Sequence, residues 1–172
     1  MKKIIFVFLS TITAFISNAQ DCNGIKEKID KITGKSIRSF TVSNFTKAFT
    51  ILRNGDNFEI QLSFVTAGQA NQVINKGDSL LMRLQNGKLV YANAREKAVP
   101  VSTVSGGYKN SASVQSTYAI FYKISRVQME ELAKSPASAF RMYYGDNYVD
   151  FDFNDRKFER IMNAAKCLVQ NQ

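Results

Sequence analysis

Apolar and polar residues alternate with a period of two over several stretches of the chain. Phe58, Ile60, Leu62 and Phe64 are separated by Glu59, Gln61 and Ser63, the pattern of a strand with one face in a core and the other in water. Leu80, Met82 and Leu84 repeat it, and Tyr118, Ile120, Tyr122 and Ile124 carry it again. Turn signals lie between such runs. Asn54-Gly55 follows the β-prone segment Thr46 to Arg53, Asn86-Gly87 leads into Leu89 and Tyr91, and Gly145-Asp146-Asn147 joins Ala137–Tyr144 to Tyr148–Phe153. Asparagine and glycine tolerate the left-handed backbone of tight turns, so antiparallel hairpins are predicted at all three places. In the last hairpin Val149, Phe151 and Phe153 share one face, and Asp150 and Asp152 the other.

A helical period marks other segments. Phe158, Ile161, Met162, Ala165, Leu168 and Val169 form one apolar stripe behind the capping candidates Asn154 and Asp155, which predicts an amphipathic C-terminal helix. Ile25, Ile29 and Ile32 have the same spacing and predict a short helix between Cys22 and Ile32. Ser125 with Gln128 reads as a capping box that opens a short internal helix, stopped by Ser135-Pro136. From Ala98 to Thr117 no period is sustained; seven Ser or Thr residues and the pair Gly106-Gly107 mark a long loop or hairpin tip. The expected fold is α+β and mainly β. Hairpins build an antiparallel sheet of about 7–8 strands, with a short N-terminal helix, a short internal helix and the C-terminal helix packed on one face. Small outer-membrane barrels also alternate, but their strands run to about ten residues and close on each other, which suits neither the short runs here nor the helical end.

The first residues obey neither period. Lys2 and Lys3 precede an apolar run from Ile4 to Ile16 and then Ser17, Asn18 and Ala19, the layout of a cleavable secretory signal over residues 1–19. Gln20 becomes the mature terminus and residues 20–172 a single globular domain. As a helix the apolar run is about 20 Å long, against roughly 30 Å of hydrocarbon, so no membrane span is expected. Gln20 and Asp21 separate the cut from Cys22, which breaks the motif that lipidation requires. Cleavage leaves 172 − 19 = 153 residues and lowers the formal charge from +9 to +7 by removing Lys2 and Lys3. Basic residues are spread from Lys26 to Lys166 with acids between them, as on a solvated surface with a weak preference for anions. In the periplasm or outside the cell, the partners to expect are an envelope protein or an anionic glycan, not nucleic acid.

Candidate chemistry is sparse. In an oxidising compartment Cys22 and Cys167 pair into one disulfide. Cys167 follows Phe158 by 167 − 158 = 9 positions, so at about 100° per residue it faces away from the apolar stripe. The bridge is expected on the helix's outer side, with the N-terminal segment strapped over it. The chain has no histidine, which removes Ser-His and Cys-His nucleophiles, histidine bases and His-based zinc sites. No phosphate-binding glycine loop occurs, no cofactor is expected, and the cysteine spacing suits no metal. Asp146, Asp150, Asp152 and Asp155 could act as paired acids or bind calcium, but their spacing is not that of an EF-hand, and a wet strand face accounts for Asp150 and Asp152. The candidate binding loop is Gly106, Gly107, Tyr108 and Lys109, since loops on a rigid sheet often carry recognition. Tyr143, Tyr144 and Tyr148 are candidate surface tyrosines for stacking on a sugar or anchoring a partner. The lack of tryptophan weakens the sugar version.

Ser17-Asn18-Ala19 before Gln20 resembles export signals of the Bacteroidetes group. With Asp30-Lys31-Ile32-Thr33-Gly34-Lys35, Lys76-Gly77-Asp78-Ser79-Leu80, Tyr122-Lys123-Ile124-Ser125 and Phe140-Arg141-Met142, the mature chain loosely resembles a group of small uncharacterised secreted proteins of such bacteria. The resemblance implies a similar fold and brings no activity or site residue with it. The expectation is a non-enzymatic exported binding or accessory module of the cell envelope. The alternative is a small carboxylate-based hydrolase acting on envelope glycans, which needs two acids converging in one concave pocket.

Overall fold

A computed structural model describes residues 22–106 and 112–170. Gly107, Tyr108 and Lys109 of the candidate loop, and the predicted signal at 1–19, lie outside them. In chain order the elements are β1 (Lys26–Ile29), β2 (Ser36–Ser43), β3 (Lys47–Asn54), β4 (Asn57–Ala67), β5 (Ser79–Leu84), β6 (Leu89–Ala94), β7 (Val101–Gly106), β8 (Ala112–Ile124), α1 (Arg126–Leu132), β9 (Ala137–Tyr144), β10 (Asn147–Phe151) and α2 (Asp155–Gln170). The 10 strands form one antiparallel sheet in the order β1-β2-β3-β4-β8-β6-β5-β9-β10, with β7 paired to β8 beside that path.

Two hairpins turn on the same dipeptide. Asn54 pairs with Asn57 and Tyr144 with Asn147, so the turns are Gly55-Asp56 and Gly145-Asp146, one residue later than Asn54-Gly55 suggests in the first case. Gly55 and Gly145 have φ of 59° and 58°, a left-handed conformation that costs a residue with a Cβ about 1 kcal/mol or more.

The sheet curls on itself. Phe49 on β3 stacks on Phe140 of β9 at 4.8 Å between centroids, although β4, β8, β6 and β5 separate those strands in the sheet. Phe64 on β4 likewise meets Phe151 on β10 at 5.1 Å. One apolar cluster fills the space between the two halves, and α2 closes it through Phe158, Ile161, Ala165 and Leu168, packing on β2, β3 and β9. Asn154 caps α2 by accepting from the N–H of Lys157 at 3.1 Å. Among the described residues no helix is long and apolar enough to cross a membrane.

Four expectations change. The segment around Ile25, Ile29 and Ile32 is the strand β1, not a helix, and Ile29 and Ile32 are 64% and 95% exposed. The side chain of Asp30 accepts from the N–H groups of Ile32 and Thr33, and Gly34 at φ 68° closes the turn, so local turn chemistry overrides the spacing of three isoleucines. The segment from Ala98 to Thr117 is largely the hairpin of β7 and β8. Its serines are partly structural: Ser116, 0% exposed, accepts from the N–H of Ala70 at 2.9 Å, donates to the carbonyl of Gly68 at 2.8 Å and meets Ser102 Oγ at 2.8 Å. With β1, β2 and β7 added, the sheet has 10 strands and not 7–8. Finally, the capping box is split: Ser125 Oγ accepts from the N–H of Gln128 at 3.2 Å, but Gln128 Oε1 turns to accept from the N–H of Tyr91 on β6 at 2.8 Å.

Candidate functional site

Strand pairing aligns residues that lie far apart in sequence. Leu52 on β3 stands opposite Glu59 on β4, Glu59 opposite Lys123 on β8, Lys123 opposite Asn93 on β6, and Asn93 opposite Ser79 on β5. Directly opposite residues share a face, and the neighbours of this row, Phe58, Ile60, Tyr122 and Ile124, are buried. The row therefore crosses the outer face of the sheet. A concavity of about 810 Å³ lies over it. Ile37 and Leu52 give it apolar wall, the β3–β4 turn supplies Asn54, Asp56 and Asn57, β6 and the residue after it supply Asn93 and Arg95, β8 supplies Lys123, and α1 supplies its first residue, Arg126. A second concavity of about 740 Å³ shares Asn54, Asp56 and Asn57 and adds Lys35, Arg38 and Arg53.

The charges in the trough are of two kinds. Arg95 Nη1 donates to Glu59 at 2.9 and 3.2 Å, its Nη2 donates to Glu96 at 3.0 Å, and the guanidinium lies 5.1 Å from the ring centre of Phe121. Hydrogen bonds to Glu96 and then Glu59 raise its pKa further above the usual arginine range. Arg126 pairs with Glu130 on α1 at 3.1 Å. Lys123, by contrast, is exposed and its ammonium has no partner among the described residues, and neither do the side-chain amides of Asn54 and Asn57. Asn93 accepts from Ser79 Oγ at 3.1 Å and keeps its amide N–H groups open. The trough thus presents a neutralised Arg95–Glu59 pair, open amide groups, one unpaired ammonium and the carboxylate of Asp56.

The residues singled out from sequence are dispersed. Cys22 and Cys167 are bridged, with their Cα atoms 5.9 Å apart. Cys167 is 1% exposed, because the N-terminal segment covers that flank of α2 next to Phe40, Arg160 and Ala164. Gly106 ends β7, opposite Ala112. Tyr143 and Tyr148 are paired across β9 and β10, with rings 6.1 Å apart and the guanidinium of Arg141 3.9 Å from the Tyr148 ring centre. Tyr144 points the other way, into a small apolar pocket with Phe64, Tyr118 and Met142. The three tyrosines do not form one surface. Of the clustered acids, Asp150 is held by Arg141 through bonds of 2.7 and 2.9 Å, which lowers its pKa below the ordinary carboxylate value. Among the described residues no three His, Cys, Asp or Glu side chains gather as a metal site.

No protein-family model, curated protein or solved structure matches the chain.

Proposed function

We propose that the chain is a non-enzymatic exported binding module of the cell envelope, and that its ligand is a glycan chain carrying anionic groups, seated in the outer trough. The observation that carries this reading is Lys123, an unpaired ammonium set between Glu59 and Asn93 on the floor of that trough. Sugar hydroxyls both donate and accept, and the amides of Asn54, Asn57 and Asn93 can answer them. A carboxylate or sulfate on the sugar meets the ammonium in a charge-assisted hydrogen bond, roughly twice as strong as a neutral one. The disulfide between Cys22 and Cys167 fits an oxidising compartment outside the cytoplasm.

The hydrolase alternative fares worse on chemistry. A general acid needs a raised pKa, whereas Arg141 depresses that of Asp150. Glu59 lines the trough with Asp56, but both of its oxygens are taken by Arg95. Titration of residues 20–172 with oligogalacturonate and with its methyl ester tests the binding reading. The expected result is saturable binding of the acid form, several-fold weaker binding of the ester and no change in chain length of either. No binding of either form, or cleavage of the oligomer, contradicts it.

A further inference from the structure

The inner side of the curled sheet carries a cavity separate from the outer trough. Tyr118 precedes Lys123 on β8 by five positions, so the two side chains point to opposite faces. Around Tyr118 lies a cavity of about 180 Å³. Its floor is Phe64, Ile74, Tyr118 and Met142, none of them more than 6% exposed. Gln72, Tyr144 and Val149 form a rim that is exposed or half-buried. Phe64 and Tyr118 stack with ring centres 4.5 Å apart and planes 14° apart, which makes one flat aromatic wall. A second wall comes from β9 and β10, where Met142 stands opposite Val149. The connection from β4 to β5 adds a third and is pinned in place: Ile74 and Ala98 exchange backbone hydrogen bonds of 3.0 and 2.8 Å, and the N–H of Ala70 donates to Ser116 Oγ at 2.9 Å. The Tyr118 hydroxyl donates to the backbone carbonyl of Gln72 at 3.0 Å, so its oxygen can still accept. The Tyr144 hydroxyl has no hydrogen-bond partner among the described residues.

We propose that this cavity binds a small monocyclic aromatic molecule with one polar group, a phenol or an aromatic alcohol, its ring on the floor and its hydroxyl at the rim. Volume selects the size. An apolar cavity of about 150 Å³ takes benzene, whereas pockets for drug-sized ligands run from about 300 to about 1,000 Å³, so a lipid tail or a fused ring system is too large. The floor selects a ring over an aliphatic chain. The stacked Phe64 and Tyr118 favour a further ring set edge-on or offset, and Met142 brings a thioether, which gains from contact with an aromatic edge. The rim selects the polar group: a ligand hydroxyl can accept from Tyr144 and donate to the Tyr118 oxygen, using both sides of its hydrogen-bonding capacity. This site does not depend on the glycan reading, because it shares no residue with the outer trough.

Titration of residues 20–172 with p-cresol, toluene and 1-naphthol, followed through the methyl NMR signals of Ile74, Met142 and Val149, tests this. The expected result is that p-cresol shifts these signals saturably at about millimolar concentration or below, that toluene binds more weakly, and that the bicyclic 1-naphthol does not bind. Tyr144→Phe keeps the ring and removes the hydroxyl, so it should weaken p-cresol about fivefold, as loss of one hydrogen bond requires, and leave toluene unchanged. Lys123→Ala in the outer trough should alter neither. Shifts that rise without saturation, shifts confined to other parts of the chain, equal affinity for p-cresol and 1-naphthol, or p-cresol binding that Tyr144→Phe leaves unchanged overturns the proposal.

Discussion

Arg53 on β3 donates from Nη1 to the carbonyl of Leu168 at 2.6 Å, across 115 positions of sequence. The last carbonyls of a helix have no partner within it and form its negative end. Arg53, 8% exposed, both pairs the carbonyl there with its guanidinium and offsets the dipole, and its Nε donates to the carbonyl of Gly55 at 2.8 Å. Replacing Arg53 with Met keeps the aliphatic stem and removes the donors. The unfolding free energy from urea titration should fall by about 2 kcal/mol; an unchanged midpoint would show that the bond from Arg53 to Leu168 adds nothing to stability.

The same helix end is fixed covalently. Cys22 and Cys167 close a loop of 145 positions, for which chain entropy predicts about 5 kcal/mol and native disulfides in general deliver roughly 2–5. Reduction, or the pair Cys22→Ser and Cys167→Ser, should lower the melting temperature. It should also raise the amide exchange of β1, whose strand neighbour is β2 alone among the described residues. A melt insensitive to reductant would contradict this.

Stability should depend on pH on the acid side. Arg141 holds the pKa of Asp150 below 3.8, and backbone N–H groups of Ile32 and Thr33 do the same for Asp30. A depressed carboxyl pKa means that the unfolded chain binds the proton first. The contribution is therefore present above pH 3.8 and is lost as the pH falls through the folded values. Melting temperatures should decline between about pH 5 and about pH 2, and Asp150→Asn should flatten part of that decline. Equal slopes for the parent and the variant would count against the pair.

Ser125 and Gln128 give a further check, because they serve different backbone groups. Ser125→Ala should lower stability by about 1 kcal/mol through the loss of the α1 cap. Gln128→Ala should act through the N–H of Tyr91, and the two effects should add in a double-mutant cycle. Strong coupling between them would mean that the closed capping box forms in solution.

Strands whose burial alternates strictly are legible in the residues alone, as Phe58 to Phe64 and Tyr118 to Ile124 illustrate. The C-terminal helix is legible for the same reason, and so is the disulfide, since two cysteines allow one internal pairing. What the hydrophobic pattern misses is local. Asp30, Thr33 and Gly34 outweigh the helical spacing of three isoleucines, and the serines of β7 and β8 conceal strands because the ribbon leaves the core. The trough is not legible at all. Asn54, Glu59, Asn93 and Lys123 come from four strands, and only the register of β4, β8 and β6 brings them together. Each of them, read alone, is an ordinary polar residue.

The central claim is that Lys123 and its neighbours form a ligand site. Calorimetric titration of the parent chain, Lys123→Ala, Asn93→Ala and the remote Lys76→Ala with oligogalacturonate tests it most directly. The Lys123 variant is expected to bind about tenfold more weakly, as loss of one charge-assisted bond of about 1.4 kcal/mol requires, the Asn93 variant to be weakened less, and the Lys76 variant to be unchanged. Equal affinity for all four chains would contradict it.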